Sequence, residues 1–310
     1  MKKKFLTLAL AAMLTLSVTA CGGKDASTSA ESKEAQTEES DASSEGEETE
    51  EADAPKEVDA LTAAMQNMSS VTNMEGQMVI EMDVEISADG QSQSIASVIT
   101  MNMTVFGDPM KLKVEANADM GEEGSVQQSI YGEITEDGTA IMYIYDGEEW
   151  YSQVVGAADM LQYDAGSSMI SLIDNESMYK LEGMEKVNGA SAFKYSCVTS
   201  GEEAKQQILS TGAMDSFASL GFDLSRLELL WNDVGDLTEY VWIDKASLYP
   251  VKCELDMTQI MDTLMSSMIE SLGEQAKGLD VGVSKMKISM TCSNFNNAAD
   301  FTIPEEAKAE

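Results

Sequence analysis

The sequence predicts an α+β domain in which a long antiparallel sheet carries a few apolar helices. Three observations predict it. Long runs alternate apolar with polar side chains, short turn signals separate successive runs, and a few stretches repeat at helical spacing instead. The plainest run is Gly76–Ser87, GQMVIEMDVEIS. Met78, Ile80, Met82, Val84 and Ile86 fall on one side of it, and Gln77, Val79, Glu81, Asp83 and Glu85 on the other.

Taken in order, Val58, Leu61, Met65 and Met68 lie at helical spacing with Asp59 near the start, so residues 58–70 are expected to form a short amphipathic helix. Met74–Ser87 then leads through Ala88-Asp89-Gly90 to a strand over Ser94–Val105, where Ile99, Met101, Met103 and Val105 alternate. Gly107-Asp108-Pro109 turns the chain into Lys111–Met120. Glu136-Asp137-Gly138 joins Ser125–Thr135 to Thr139–Asp146 as a hairpin, and Asp146-Gly147 leads into Trp150–Val154. These runs make an antiparallel meander of six strands. A helix is expected over 157–173, where Met160, Leu161, Met169, Leu172 and Ile173 are apolar. Tyr179–Val187 and Ala192–Thr199 form a hairpin across Asn188-Gly189, Glu202–Leu220 reads as helical, and Thr238–Asp244 pairs with Tyr249–Met257. Residues 257–277 carry the widest apolar stripe, through Met257, Ile260, Met261, Leu264, Met265, Met268, Leu272 and Ala276. Ser284–Phe295 closes the chain as a strand with Met286, Ile288, Met290 and Cys292 on one face.

The first residues are expected to direct the chain rather than to fold. Lys2-Lys3-Lys4 is a positive start, Phe5–Leu16 is apolar but too short to span a bilayer, and small residues precede Cys21. Residues 1–20 therefore read as a signal peptide, and Leu16–Gly23, LSVTACGG, resembles a bacterial lipobox in which Cys21 is diacylated. Two acyl chains hold a protein to a membrane where one is marginal. Residues 22–57 carry 13 Asp and Glu against Lys24, Lys33 and Lys56, with no periodic apolar positions. Such a segment cannot offset its ordering entropy by burial, so 21–57 is expected to be a lipidated cysteine on an acidic, disordered tether. As a coil it would average roughly 33 Å end to end.

Residues 58–310 remain as one domain, with 42 acidic against 13 basic side chains and no second linker. The whole chain carries a formal charge of −36, which repels polyanions and argues against a nucleic-acid partner. It contains no histidine, which removes Ser-His-Asp and Cys-His catalysis and histidine zinc sites. Ser191-Ala192-Phe193-Lys194 and Ser284-Lys285-Met286-Lys287 match S-x-x-K, but both fall in expected strands and no K-T-G follows. The many acids supply too many accidental carboxylate pairs for spacing to single out a glycosidase site. Asp233-Val234-Gly235-Asp236 lacks the spaced ligands of a calcium loop. No enzyme activity, metal or cofactor is expected. Cys197, Cys253 and Cys292 share alternation parity with apolar neighbours, Cys253 with Val251 and Leu255. They read as buried thiols or, for Cys253 and Cys292, as a candidate disulfide.

Lipobox, acidic tether, short helix and long meander come in an order that resembles the lipoprotein-carrier superfamily, which includes the Lol-type carriers and the lipid-carrying lipoproteins of mycobacteria. Tyr240–Lys252, YVWIDKASLYPVK, resembles that family's recurring hairpin, and Tyr143–Tyr151, YIYDGEEWY, its earlier aromatic one. The resemblance implies a large, curved, mostly antiparallel β-sheet, a half-barrel, wrapping a few amphipathic helices. It also implies a cavity between them that takes lipid or acyl chains. The domain holds 21 of the chain's 23 methionines, and methionine adapts to irregular or varied ligands. The candidate ligand wall is Met78, Ile80, Met82, Val84 and Ile86 with Met101 and Met103, faced by Met261, Met265, Met268 and Leu272. On this reading the protein is lipid-anchored on the extracytoplasmic face of the cell membrane and binds an apolar molecule. The competing reading is a cell-surface adhesion or scaffold lipoprotein with a filled core and a cell-envelope protein partner.

Overall fold

The computed structural model describes residues 59–309, apart from 89–90, 120, 122–123, 158–159, 161–177 and 211–234. Its order is α1 (Asp59–Met68), β1 (Asn73–Ala88), β2 (Gln91–Gly107), β3 (Met110–Asp119), β4 (Ser125–Ile134), β5 (Ala140–Tyr145), β6 (Trp150–Val155), β7 (Lys180–Val187), β8 (Ala190–Thr199), α2 (Gly201–Ser210), β9 (Leu237–Asp244), β10 (Pro250–Asp256), α3 (Thr258–Leu272) and β11 (Leu279–Ser293). All eleven strands join one sheet in the order β6-β5-β4-β3-β2-β1-β11-β10-β9-β8-β7. Every pairing is antiparallel, and β6 and β7 remain edges, so the curved sheet does not close into a barrel. β1 runs outward to β6; the chain re-enters at the opposite edge and works back until β11 lies against β1. Strands of 15 to 17 residues at this seam carry a large accumulated twist, which curves the sheet.

The inner face of the sheet carries the helices. α1 buries Ala60, Leu61 and Ala64 against Phe193, Tyr195, Val241 and Ile243. Its Asn67 side chain donates to the carbonyls of Ser247 (3.2 Å) and Leu248 (3.1 Å), pinning the helix to the β9–β10 turn. That turn is organised by Asp244, whose Oδ1 accepts from the backbone N–H groups of Ala246 (3.0 Å) and Ser247 (2.7 Å) and from the Ser247 hydroxyl (2.8 Å). We expect Asp244→Ala to lose about 2 kcal/mol of stability, because two turn N–H groups lose a charged acceptor. A lowered urea midpoint at unchanged slope is the readout, with Asp244→Asn expected to recover part of the loss.

α2 begins with a capping box: the Glu203 N–H donates to Ser200 Oγ at 3.5 Å and Glu203 Oε2 accepts the Ser200 N–H at 3.3 Å, with the Ser200 hydroxyl also donating to Oε2 at 2.7 Å. Asp236 accepts from the N–H of Gly201 (3.1 Å). The remainder of the expected 202–220 helix, and most of the one expected over 157–173, lie outside the described residues. Met160 is described and fully buried, with its ε-methyl seated where a Cβ on Gly132 would be only 2.7 Å away.

Three details differ from the sequence reading. β11 starts at Leu279, five residues early, since Leu279–Val283 extend the register with β1, Asp280 opposite Ser87 and Gly282 opposite Glu85. α3 ends at Leu272 and gives way to a 3-10 turn over Gly273–Ala276, with Gly273 at φ +55° where a side chain would be strained. Val251 does not share a face with Cys253. A register shift between Pro250 and Lys252 makes it an extra residue, and it packs with Val187, Ala192 and Trp242 on the outer face. Cys197, Cys253 and Cys292 are thiols rather than disulfide partners: the register sets Cys253 opposite Met290 and Cys292 opposite Gly76.

The outer face is partly covered as well. The C-terminal segment places Phe301, Ile303 and Ala307 on Tyr131, Tyr143 and Trp150. Lys111 anchors it, pairing with Asp300 and lying over the Phe106 and Phe301 rings at 4.8 and 4.9 Å.

Candidate functional site

Cross-strand register brings the predicted wall together, since residues directly opposite in an antiparallel pair share a face. One row runs Cys253, Met290, Met78, Met101 and Ala116; the next runs Leu255, Ile288, Ile80, Ile99 and Ala118. Gly76 stands in the row beyond Met78, where the ε-methyls of Met290 and Met103 close over it, 3.2 and 3.4 Å from where a Cβ would be. The missing side chain is what lets two methionines meet there.

α3 lies on this surface. Its position is fixed by β10 ending early: the last β10–β11 pair is Asp256 with Lys287, so among the described residues no strand pairs with Met286 and Val283 of β11 on that side. The helix supplies the missing partners. Thr258 Oγ1 accepts the Met286 N–H at 3.0 Å, Asp262 Oδ1 accepts the Val283 N–H at 2.8 Å, and the N–H of Met257 donates to the Met286 carbonyl at 2.8 Å. Met257, Ile260, Met261, Leu264 and Met268 are then buried against Met78, Ile80, Met286 and Met290.

Within this cluster burial falls along β1. Met78 and Ile80 are 6% and 2% exposed, whereas Met82 and Val84 are half-buried against the cluster and Ile86 is half-buried beyond it. Met101, Met261 and Met268 are buried; Met103 and Met265 are half-buried. The Leu272 side chain and Cys21 lie outside the described part. Ile260 and Leu264, not among the candidates, are as deeply buried as any of them, and Ile99 matches Met101.

The alternation of β9 hides a further residue. Leu237, Val241 and Ile243 face the helices, and Glu239 stands among them, opposite Cys197 on β8 and Leu255 on β10. The Tyr179 hydroxyl donates to this carboxyl, while its Oε1 is buried and has no hydrogen-bond partner among the described residues. Burial pushes the Glu239 carboxyl up to about 7, with the Tyr179 bond opposing. Burial, and then the Glu239 charge, raise both Tyr179 and the Cys197 thiol. An acid at an inward position of an alternating strand was the signal for this residue in the sequence.

The raised carboxyl fixes a sign. Glu239 takes up its proton in the fold but not in the unfolded chain between 4.5 and about 7, so its contribution is complete below that window and is lost as pH rises through it. We expect the wild type to lose about 3 kcal/mol more than Glu239→Gln between pH 5 and pH 8. Denaturant titrations of both proteins at the two pH values measure the difference, and parallel behaviour would refute it.

The opposite face carries a groove of about 530 Å³ lined by Glu182, Met184, Lys194, Ser196, Val198 and Tyr240. Lys194 is held there by Glu185 at 2.9 Å and lies over the Tyr240 and Trp242 rings at 4.8 and 5.1 Å, while the Trp242 Nε1–H donates to Glu185 at 3.0 Å. In β8, Ser191 and Lys194 fall on opposite faces, so that S-x-x-K match assembles no site. Among the described residues no three His, Cys, Asp or Glu side chains are placed to hold a metal, and no helix is long and apolar enough to cross a membrane.

An open antiparallel sheet with helices laid on its apolar face defines the class, a curved α+β half-barrel. Its solved neighbours include lipoprotein LppX of Mycobacterium tuberculosis, at 13% identity and a TM-score of 0.38 over 78% of this chain and 96% of that one. LprF of Mycobacterium bovis is similar at 14% and 0.36, over 80% and 96%. A putative outer membrane lipoprotein-sorting protein domain of Vibrio parahaemolyticus is similar at 11% and 0.24, over 77% and 93%. The chain itself belongs to the family of unknown function DUF6612, whose model matches residues 56–310. No curated protein matches it in sequence.

Proposed function

We propose that this is an extracytoplasmic lipoprotein, anchored to the cell membrane through Cys21, that binds a lipid or other apolar molecule between the sheet and α3. Residues 1–20 are its signal peptide, 21–57 its acidic tether and 58–310 its binding domain. The observation that carries the reading is the burial gradient: one continuous apolar wall is closed at Met78 and Ile80 but incompletely covered at Met82, Val84, Ile86 and Met265. A wall left half-covered is a place where an alkyl chain can complete the packing, at about 0.8 kcal/mol per buried methylene. Methionine suits such a wall because its unbranched side chain adapts to a guest of irregular shape. The reading is of a binding protein, and the absence of histidine agrees with it. Native mass spectrometry of the protein extracted gently from its own membrane tests it. We expect a co-purifying lipid mass; a clean apo mass, together with failure to take up any added amphiphile, would overturn the reading.

A further inference from the structure

We propose that Glu239, with Tyr179 beside it, is the head-group subsite of this apolar face, and that it selects an uncharged amphiphile carrying a hydroxyl. The inference rests on the reading of the face as a lipid-binding wall and adds which lipid it takes. Glu239 lies in the same register row as Leu255, Ile288, Ile80 and Ile99, so an acid opens an otherwise apolar row that runs straight into the methionine wall. Leu255 and Ile288 on this row are half-buried, and the half-covered Met82 stands one alternation along β1 from Ile80; three strand spacings, about 14 Å, separate β9 from β1, a distance an extended alkyl chain covers readily.

The head-group chemistry follows from what surrounds the carboxyl. One oxygen takes the Tyr179 hydroxyl, and Cys197 stands opposite on β8. Among the described residues Oε1 is left buried without a partner, and an orphaned buried oxygen costs free energy that a ligand group would recover. A hydroxyl satisfies that oxygen in either protonation state, donating to the ionised carboxylate and accepting from the neutral acid. A carboxylate or phosphate head group would meet a like charge in a poorly solvated place whenever Glu239 is ionised, and would have to hold it protonated to bind, which disfavours both. An ammonium would bring three donors to a single open acceptor and leave the others unpaired.

Binding of monolauroylglycerol, laurate and dodecylammonium to the full-length protein at pH 7 tests the proposal, because the three probes share chain length and differ in head group. The wild type is expected to prefer monolauroylglycerol at least about ten-fold over each of the others. Glu239→Leu is expected to erase that preference while leaving laurate binding unchanged or improved, and Glu239→Gln to restore part of it. Equal affinity for the three probes, or a preference for dodecylammonium, overturns the head-group assignment while the lipid-binding reading stands. If no probe binds at all, both fall. The comparison among probes is made on the wild type, so it decides the matter even where the Leu variant does not fold.

Discussion

Met82→Glu is expected to fold and to lose its apolar ligand, whereas Ile80→Glu is expected not to fold. The two positions face the same way on β1, separated by one alternation. Ile80 is 2% exposed, between Ile288 and Ile99 and beneath α3. A carboxylate placed there has no partner and no water, and the penalty approaches the whole stability of an ordinary domain. Met82 is half-buried beside Ser97 and Met286, so a glutamate there can turn toward water at a cost of about 1 kcal/mol while placing charge on the ligand wall. Circular dichroism and denaturant melts report folding, and uptake of a lipid probe reports the wall. If Met82→Glu unfolded like Ile80→Glu, this end of the face would be solid core. If it folded and still bound lipid, the wall would be elsewhere.

Cys21→Ala is expected to move the protein wholesale. Without the thiol there is nothing to acylate, so the variant should accumulate uncleaved or be shed to the medium. Fractionation with detection of the processed form measures this. A variant still membrane-bound, at wild-type size and amount, would remove the anchor from the proposal.

The alternation of β1 is legible in sequence because the strand has one face on the core and one in water, and the hairpin at Asn188-Gly189 because both residues take positive φ, +51° and +87°. The α3 stripe is legible for the same kind of reason: its period matches the helix that buries it. What could not be read is set by partners far away in the chain. Nothing local says that β1 pairs with β11, or that β10 stops at Asp256 so that Thr258 and Asp262 must finish the bonding of β11. The bulges at Val251 and Ser284 each insert one residue and reverse the parity that alternation assigns. Phe301, Ile303 and Ala307 carry no strand or helix period, since what orders them is the aromatic surface of Tyr131, Tyr143 and Trp150. That these residues share one apolar face was legible, but the depth of each was not, because depth depends on where α3 lies across the sheet.

The seam between β1 and β11 also sets the order in which the domain can come into being. Ala88 pairs with Leu279 and Glu75 with Ser293, so one of the two longest strand pairs of the sheet joins the two ends of the domain. A chain made from its N-terminus completes the β1–β6 meander by local hairpins, and then holds the β1 edge bare until the last strand arrives. Contacts of such long sequence separation make folding slow, and a long apolar edge left open meanwhile is a template for mispairing. The charged outer positions of β1, Glu81, Asp83 and Glu85, stand on that waiting strand, where like charges on neighbouring copies would repel. A chain cut between Asp256 and Leu279 keeps both meanders but not the strand that joins them, and two edges of one domain become two sticky surfaces.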